Sequence, residues 1–284
     1  MSNTYKLNNW INKLNWKELS KNINAIELLE KNIDKIDWYE LSGNLNAIHI
    51  LENNIDKVNW EILSSNPNAI HLLEQNPNKI DWDTLSFNPN AIHLLEENKD
   101  KIDWEALSSN SNAIHLLEQN IDKIDWFELY HNENAMHILE QNKDKINDFI
   151  FHTPCLIYQT PCLIYLLEHK IINLDIKLCI SKLSSNPKAI HLLTKYFNWI
   201  DYERLSLNPN AISILEKNKD KINWDKLSLN SNAFHLLEQN PDKIHWGNLS
   251  KNPNAIDLLI KNIDKIDWNN LSSNPNIIQL IEKI

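Results

Sequence analysis

Seven of the eleven histidines stand at one recurring place in the chain: His49, His71, His93, His115, His137, His191 and His235. Imidazoles held in register are the raw material of metal sites and proton relays wherever they converge. Here the spacing opposes convergence. Neighbouring layers of a helical stack sit roughly 10 Å apart, whereas one zinc ion needs its nitrogens at roughly 2.0–2.1 Å. Glu27, Tyr165, Ser213, Asp257 and Gln279 fill the same place elsewhere, so it accepts any polar group. The reading that follows is a solvated ridge, with a pH-sensitive surface and a metal ladder as its alternatives.

A second group of ligand-competent residues, His152, Cys155, Cys162 and His169, lies in the middle of the chain. Their spacing is not that of a Cys-x-x-Cys knuckle. Two of them come from a local duplication, Thr153-Pro-Cys-Leu-Ile-Tyr158 followed by Thr160-Pro-Cys-Leu-Ile-Tyr165. Thiols in so apolar a stretch read as small hydrophobes. Carboxylates also recur, at Glu30, Glu52, Glu74, Glu96, Glu118 and Glu140, accompanied by Asp-Lys pairs such as Asp34/Lys35 and Asp122/Lys123. Two carboxylates at the right separation could act as acid and base. An active site is singular, however, and these occur in nearly every copy of a repeat. They read as a solvated face with weak ion pairing.

Composition narrows the function classes further. Only Gly43 and Gly247 occur, too few for a glycine-rich phosphate loop, a dinucleotide turn or a nucleophile elbow. The net charge of −10 opposes general nucleic-acid binding. Three cysteines make no disulfide framework. No basic segment leads into an apolar signal stretch, and no apolar run is long enough to span a membrane. The expectation is a soluble, intracellular, non-enzymatic protein with no metal, no cofactor, no nucleic-acid partner and no membrane partner.

The elements that carry these side chains follow from one period. Trp16, Trp38, Trp60, Trp82, Trp104 and Trp126 are spaced by 22 residues, and the spacing returns at Trp224, Trp246 and Trp268. Asp148, Ile180 and Tyr202 take the Trp place in three further copies. The repeat starting at Trp60 predicts two short helices. The first runs from about Trp60 to Ser64, capped by the residue before the Trp: Asn59 here, Asp37 and Asp81 in neighbours. The second is capped by Asn66, with Pro67 at its first position and Asn76 as a left-handed end. Ala69, Ile70, Leu72 and Leu73 form its apolar stripe. The fold class expected is all-α, an α-solenoid of about twelve 22-residue two-helix repeats, since such a pair cannot bury both its faces alone.

The expected organisation is one continuous solenoid domain. Residues 1–15, with Leu7, Trp10, Ile11 and Leu14 on one face, form an N-terminal capping helix over the first repeat. Regular repeats fill 16–147, an irregular central repeat with the duplication fills 148–179, and regular repeats fill 180–284. The tryptophans are expected in the core, and the stack as a rod or arc on the order of 100 Å long.

The pattern Trp-x-x-Leu-Ser-x-Asn-Pro-Asn-Ala-Ile-x-Leu-Leu-Glu-x-Asn-x-Asp-Lys-Ile-Asp covers nearly the whole chain. It resembles the short tandem repeats of proteins of giant DNA viruses of the mimivirus group. The Asn-, Ile- and Lys-rich composition, as expected of an AT-rich genome, agrees. The resemblance implies a viral repeat protein of the host cytoplasm or virion, and brings no activity or functional residue with it.

Function in such a stack belongs to the positions that vary while their neighbours do not. Tyr39, Phe87, Phe127, Leu207 and Leu229 place apolar side chains where other repeats are polar, and are the expected contacts for a protein partner. The leading expectation is a protein–protein interaction scaffold. The alternatives are a structural or self-assembling viral component and a metal-dependent activity at the central irregular repeat.

Overall fold

The repeat that begins at Trp60 shows how this pattern becomes structure. In the computed structural model, which describes residues 10–145, 164–165 and 176–283, its first helix spans Trp60–Ser64. The Asn59 side chain caps it by accepting the Ile62 N–H at 2.9 Å. Asp37 and Asp81 do the same for Glu40 and Thr84. A carboxylate or amide oxygen here satisfies one of the open N–H groups that every helix start presents.

The second helix departs from expectation. It begins at Ile70 and ends at Gln75, later than an Asn66 cap would start it. Asn66 instead folds a turn, its Oδ1 accepting the Asn68 N–H at 3.0 Å. That is the local bond which lets Asn replace a backbone turn. Asn76 has φ −129° and is not left-handed. It ends the helix by donating its Nδ2 to the Leu72 carbonyl at 2.8 Å. The chain then makes a short 3-10 turn, Pro77–Lys79, and an extended step into the next cap. The repeat is thus two short helices and a 3-10 turn. Among the described residues the chain is helical with no strand, as the sequence predicts.

Helices of five or six residues have no stability of their own, so packing and bonds between repeats must hold them. Leu63, Ala69 and Leu73 are fully buried, as are Leu85, Ala91 and Leu95 one repeat later. Buried polar groups stitch the layers. Ser64 Oγ donates to the Trp60 carbonyl at 2.7 Å and accepts the Asp81 N–H at 3.0 Å, tying the two ends of its repeat together. Asn88 Nδ2 reaches back one repeat to the carbonyls of Ser64 and Asn66 at 2.9 and 3.1 Å. Asn90 Nδ2 reaches the Pro67 carbonyl at 2.9 Å. The same bridge recurs at Asn110, Asn132, Asn208, Asn230, Asn252 and Asn274.

The tryptophans are not in the buried core. Every Trp at the repeat start is half-buried, and in several repeats a Lys of the same repeat covers the ring. Lys101 Nζ lies 4.3 Å from the Trp82 ring centre, and Lys123 Nζ lies 4.5 Å from that of Trp104. The reason is chemical: Lys can lay its charge on a ring face and keep its ammonium in water.

The chain divides into two compact units, residues 51–183 and residues 1–50 with 184–284. The second holds a junction that the periodicity alone does not announce. Asn15 N–H donates to Ser272 Oγ at 2.8 Å, the bond that Asp37 N–H makes to Ser20 Oγ. Asn22 Nδ2 donates to the Asn274 carbonyl at 2.9 Å and the Ser272 carbonyl at 3.4 Å. Asn24 Nδ2 donates to the Pro275 carbonyl at 3.0 Å. Trp10 stacks on Trp268 with ring centres 5.0 Å apart. Within this unit the repeat at Trp16 therefore packs on the repeat at Trp268 by the bonds that join consecutive repeats. Of the residues expected to cap the first repeat, Asn15 caps its first helix by accepting the Glu18 N–H at 3.2 Å and also reaches the last repeat, as Trp10 does, while Leu7 lies outside the described residues.

Candidate interaction surface

The recurring histidines face the preceding repeat. His49 Nε2 lies 2.8 Å from Glu30 Oε1, and the pairing repeats for His71 with Glu52, His93 with Glu74, His115 with Glu96, His137 with Glu118 and His235 with Glu216. Tyr165 occupies the same role by another chemistry, its Oη donating to Glu140 Oε1 at 2.6 Å. This bond raises the phenol above its ordinary pKa, because the carboxylate favours the protonated hydroxyl.

The rest of the sequence supports a paired role for the two positions. Ser213 lacks the imidazole, and the preceding repeat has Thr194 in place of Glu; Gln279 follows Ile260 in the same relation. Where Asp257 and Glu238 bring two carboxylates to the two places, Lys283 and Lys261 sit against them at 3.1 and 3.6 Å. The ridge is a row of surface pairs with half of each side chain in water. Among the described residues, no three His, Cys, Asp or Glu side chains gather to hold a metal ion. His152, Cys155, Cys162 and His169 lie outside the described residues.

The five expected contact residues separate into two groups. Tyr39 and Phe87 are each 51% exposed, Tyr39 on the second residue of a first helix and Phe87 just past the end of another. Phe127, Leu207 and Leu229 are half-buried. Phe127 meets the His131 ring edge-on at 5.6 Å, so part of its apolar surface is already used. Leu207 lines a shallow cleft of about 260 Å³ with Asp201, Glu203, Arg204 and Lys226. There Arg204 Nε pairs with Asp201 Oδ2 at 3.2 Å.

The most exposed aromatic residue is one the repeat-start positions did not single out. In the repeat of Ile180, Tyr196-Phe197-Asn198-Trp199 stands where other repeats carry Asn-Ile-Asp-Lys. Phe197 is 63% exposed and Trp199 37%, and both belong to the 3-10 turn Phe197–Trp199. Tyr196 and Trp199 stack with ring centres 6.1 Å apart, and Lys195 Nζ lies 5.2 Å above the Tyr196 ring. Losing the Asn that elsewhere ends the helix is tolerated because the Tyr196 N–H itself takes the Leu192 carbonyl at 2.9 Å. The signal was present in the sequence as a run of three aromatics at positions that are otherwise polar or aliphatic.

Together these features form repeats stitched by buried side chains, with Tyr39, Phe87, Phe197 and Trp199 exposed on them. No protein-family model, curated protein or solved structure matches this chain.

Proposed function

We propose that the protein is a non-enzymatic scaffold that holds another protein on the exposed aromatic positions of its repeat stack. One observation carries this reading: Phe197, 63% exposed on a turn whose backbone is held by the Trp199 N–H on the Tyr196 carbonyl and the Ile200 N–H on the Phe197 carbonyl. An aromatic side chain presented by an ordered backbone has only two side-chain angles left to fix, so a partner that covers it gains the hydrophobic term at a modest ordering cost. The net charge of −10 leaves nucleic acid a poor partner. Among the described residues no helix is long and apolar enough to cross a membrane. The resemblance of the repeat to giant-virus repeats supports a place for the scaffold inside an infected cell, in the host cytoplasm or on the virion.

The test is comparative capture from cells by the unchanged chain, by Phe197→Asp and by Phe87→Asp, with circular dichroism as the control for folding. A hot-spot aromatic is worth 2 kcal/mol or more, roughly a thirtyfold loss of affinity. The expected result is that Phe197→Asp loses a partner while keeping its helical spectrum. Capture of the same proteins in the same amounts by all three chains would remove the reading.

A further inference from the structure

We infer that the junction between the Trp16 repeat and the Trp268 repeat is also a docking surface for a second copy of this chain, which can supply the same residues in trans. A segment built like a repeat end occupies the junction. Residues 11–15, Ile-Asn-Lys-Leu-Asn, match Ile33-Asp-Lys-Ile-Asp37 residue for residue in type. Leu14 and Ile36 are buried to the same degree, each 7% exposed. Asn15 gives Ser272 the bond that Asp37 gives Ser20, and Asn22 and Asn24 bridge to Ser272, Asn274 and Pro275 as their counterparts bridge between consecutive repeats. The Trp268 repeat is thus completed and covered by a segment more than two hundred residues away in sequence.

Two consequences follow. At a junction between consecutive repeats, the peptide chain holds the two faces together even when their bonds break. Here no short linker does so: among the described residues Trp10, Asn15, Asn22 and Asn24 bridge the two faces, and the junction can open without the chain being cut. Once open, each face is a standard repeat face. Nothing in the bonds separates the Asn22 of one copy from that of another, because their acceptors are backbone carbonyls and a serine hydroxyl. The two faces of the junction are different surfaces, so pairing between copies is head-to-tail and extends until it closes. Own and foreign faces then compete by concentration alone. A tethered face has an effective concentration on the order of millimolar, so dilute chains close on themselves and concentrated chains exchange.

The test is to unfold the full chain in denaturant and refold it at about 1 μM and at about 500 μM, concentrations far below and close to that effective value. Size-exclusion chromatography with light scattering then reads the mass. The inference expects monomer from the dilute sample and dimers or larger species from the concentrated one. Tagged and untagged copies refolded together should co-purify. Cyclising the chain by joining residue 1 to residue 284 should lower the oligomer fraction at least tenfold. The double variant Trp10→Ala with Asn24→Ala keeps the chain linear and should speed the dissociation of isolated oligomers at least tenfold. Monomer at every concentration would overturn the inference. So would oligomers whose amount ignores cyclisation, or whose dissociation ignores the double variant, since these would be held elsewhere. None of these outcomes bears on Phe197, so the scaffold reading stands or falls separately.

Discussion

Asn88 illustrates how much one side chain does in this fold. It is fully buried, yet its amide donates to two carbonyls of the preceding repeat and its oxygen caps a turn in its own. Asn88→Ala removes all three and takes its donor from the buried Ser64 carbonyl, while the Asn66 carbonyl keeps the Ala69 N–H, a loss of roughly 1–3 kcal/mol. Urea unfolding should show a lower midpoint, while an exposed pair such as His93–Glu74, worth at most about 1 kcal/mol, should be replaceable with little change. Tyr165 gives a titration test. Its folded pKa is raised, so its bond to Glu140 contributes fully below the ordinary tyrosine value of about 10 and is lost as pH rises through the folded value. Tyrosinate absorbance, taken as the difference from Tyr165→Phe, should place its ionisation above the ordinary tyrosine value of about 10. Glu140→Gln should lower it toward that value.

At the scale of the element, the first helix was legible from sequence because its signals are local. A capping Asp or Asn precedes every repeat-start Trp except Trp246, where His245 accepts through Nδ1, and the structure uses the Asp or Asn oxygen as predicted. Asp81→Ala should destabilise by about 0.5–2 kcal/mol, with the amide of Thr84 losing protection in hydrogen exchange. The second helix was less legible, because the Asn-Pro-Asn-Ala step reads equally as a helix start or as a turn. The Asn66 Oδ1 is committed to the Asn68 N–H of its own turn, so the turn wins and the helix waits for Ile70. The half-buried tryptophans and the 3-10 turn were missed for a related reason. Both depend on the Lys that covers the ring and on the exit angle of the chain, neither of which a hydrophobic period encodes. The Phe197 turn was readable, but only by asking which repeats break the Asn-Ile-Asp-Lys pattern and not which vary near the Trp.

At the scale of the whole molecule, periodicity predicts a stack of repeats, and stacking by nearest neighbours is what the described residues show. What periodicity does not reveal is which repeats are neighbours when they are distant in sequence. The pairing of the Trp16 repeat with the Trp268 repeat rests on Asn22, Asn24 and Asn15 finding acceptors that every repeat offers. That pairing is the central structural claim, and a pair of spin labels tests it directly. With the native cysteines replaced, labels at Lys17→Cys and Ser273→Cys report the separation of two first helices that should pack about 8–10 Å apart between axes. The account predicts one short, narrow distance distribution in dilute solution. A long or broad distribution would show that the start of the chain does not sit on its last repeat.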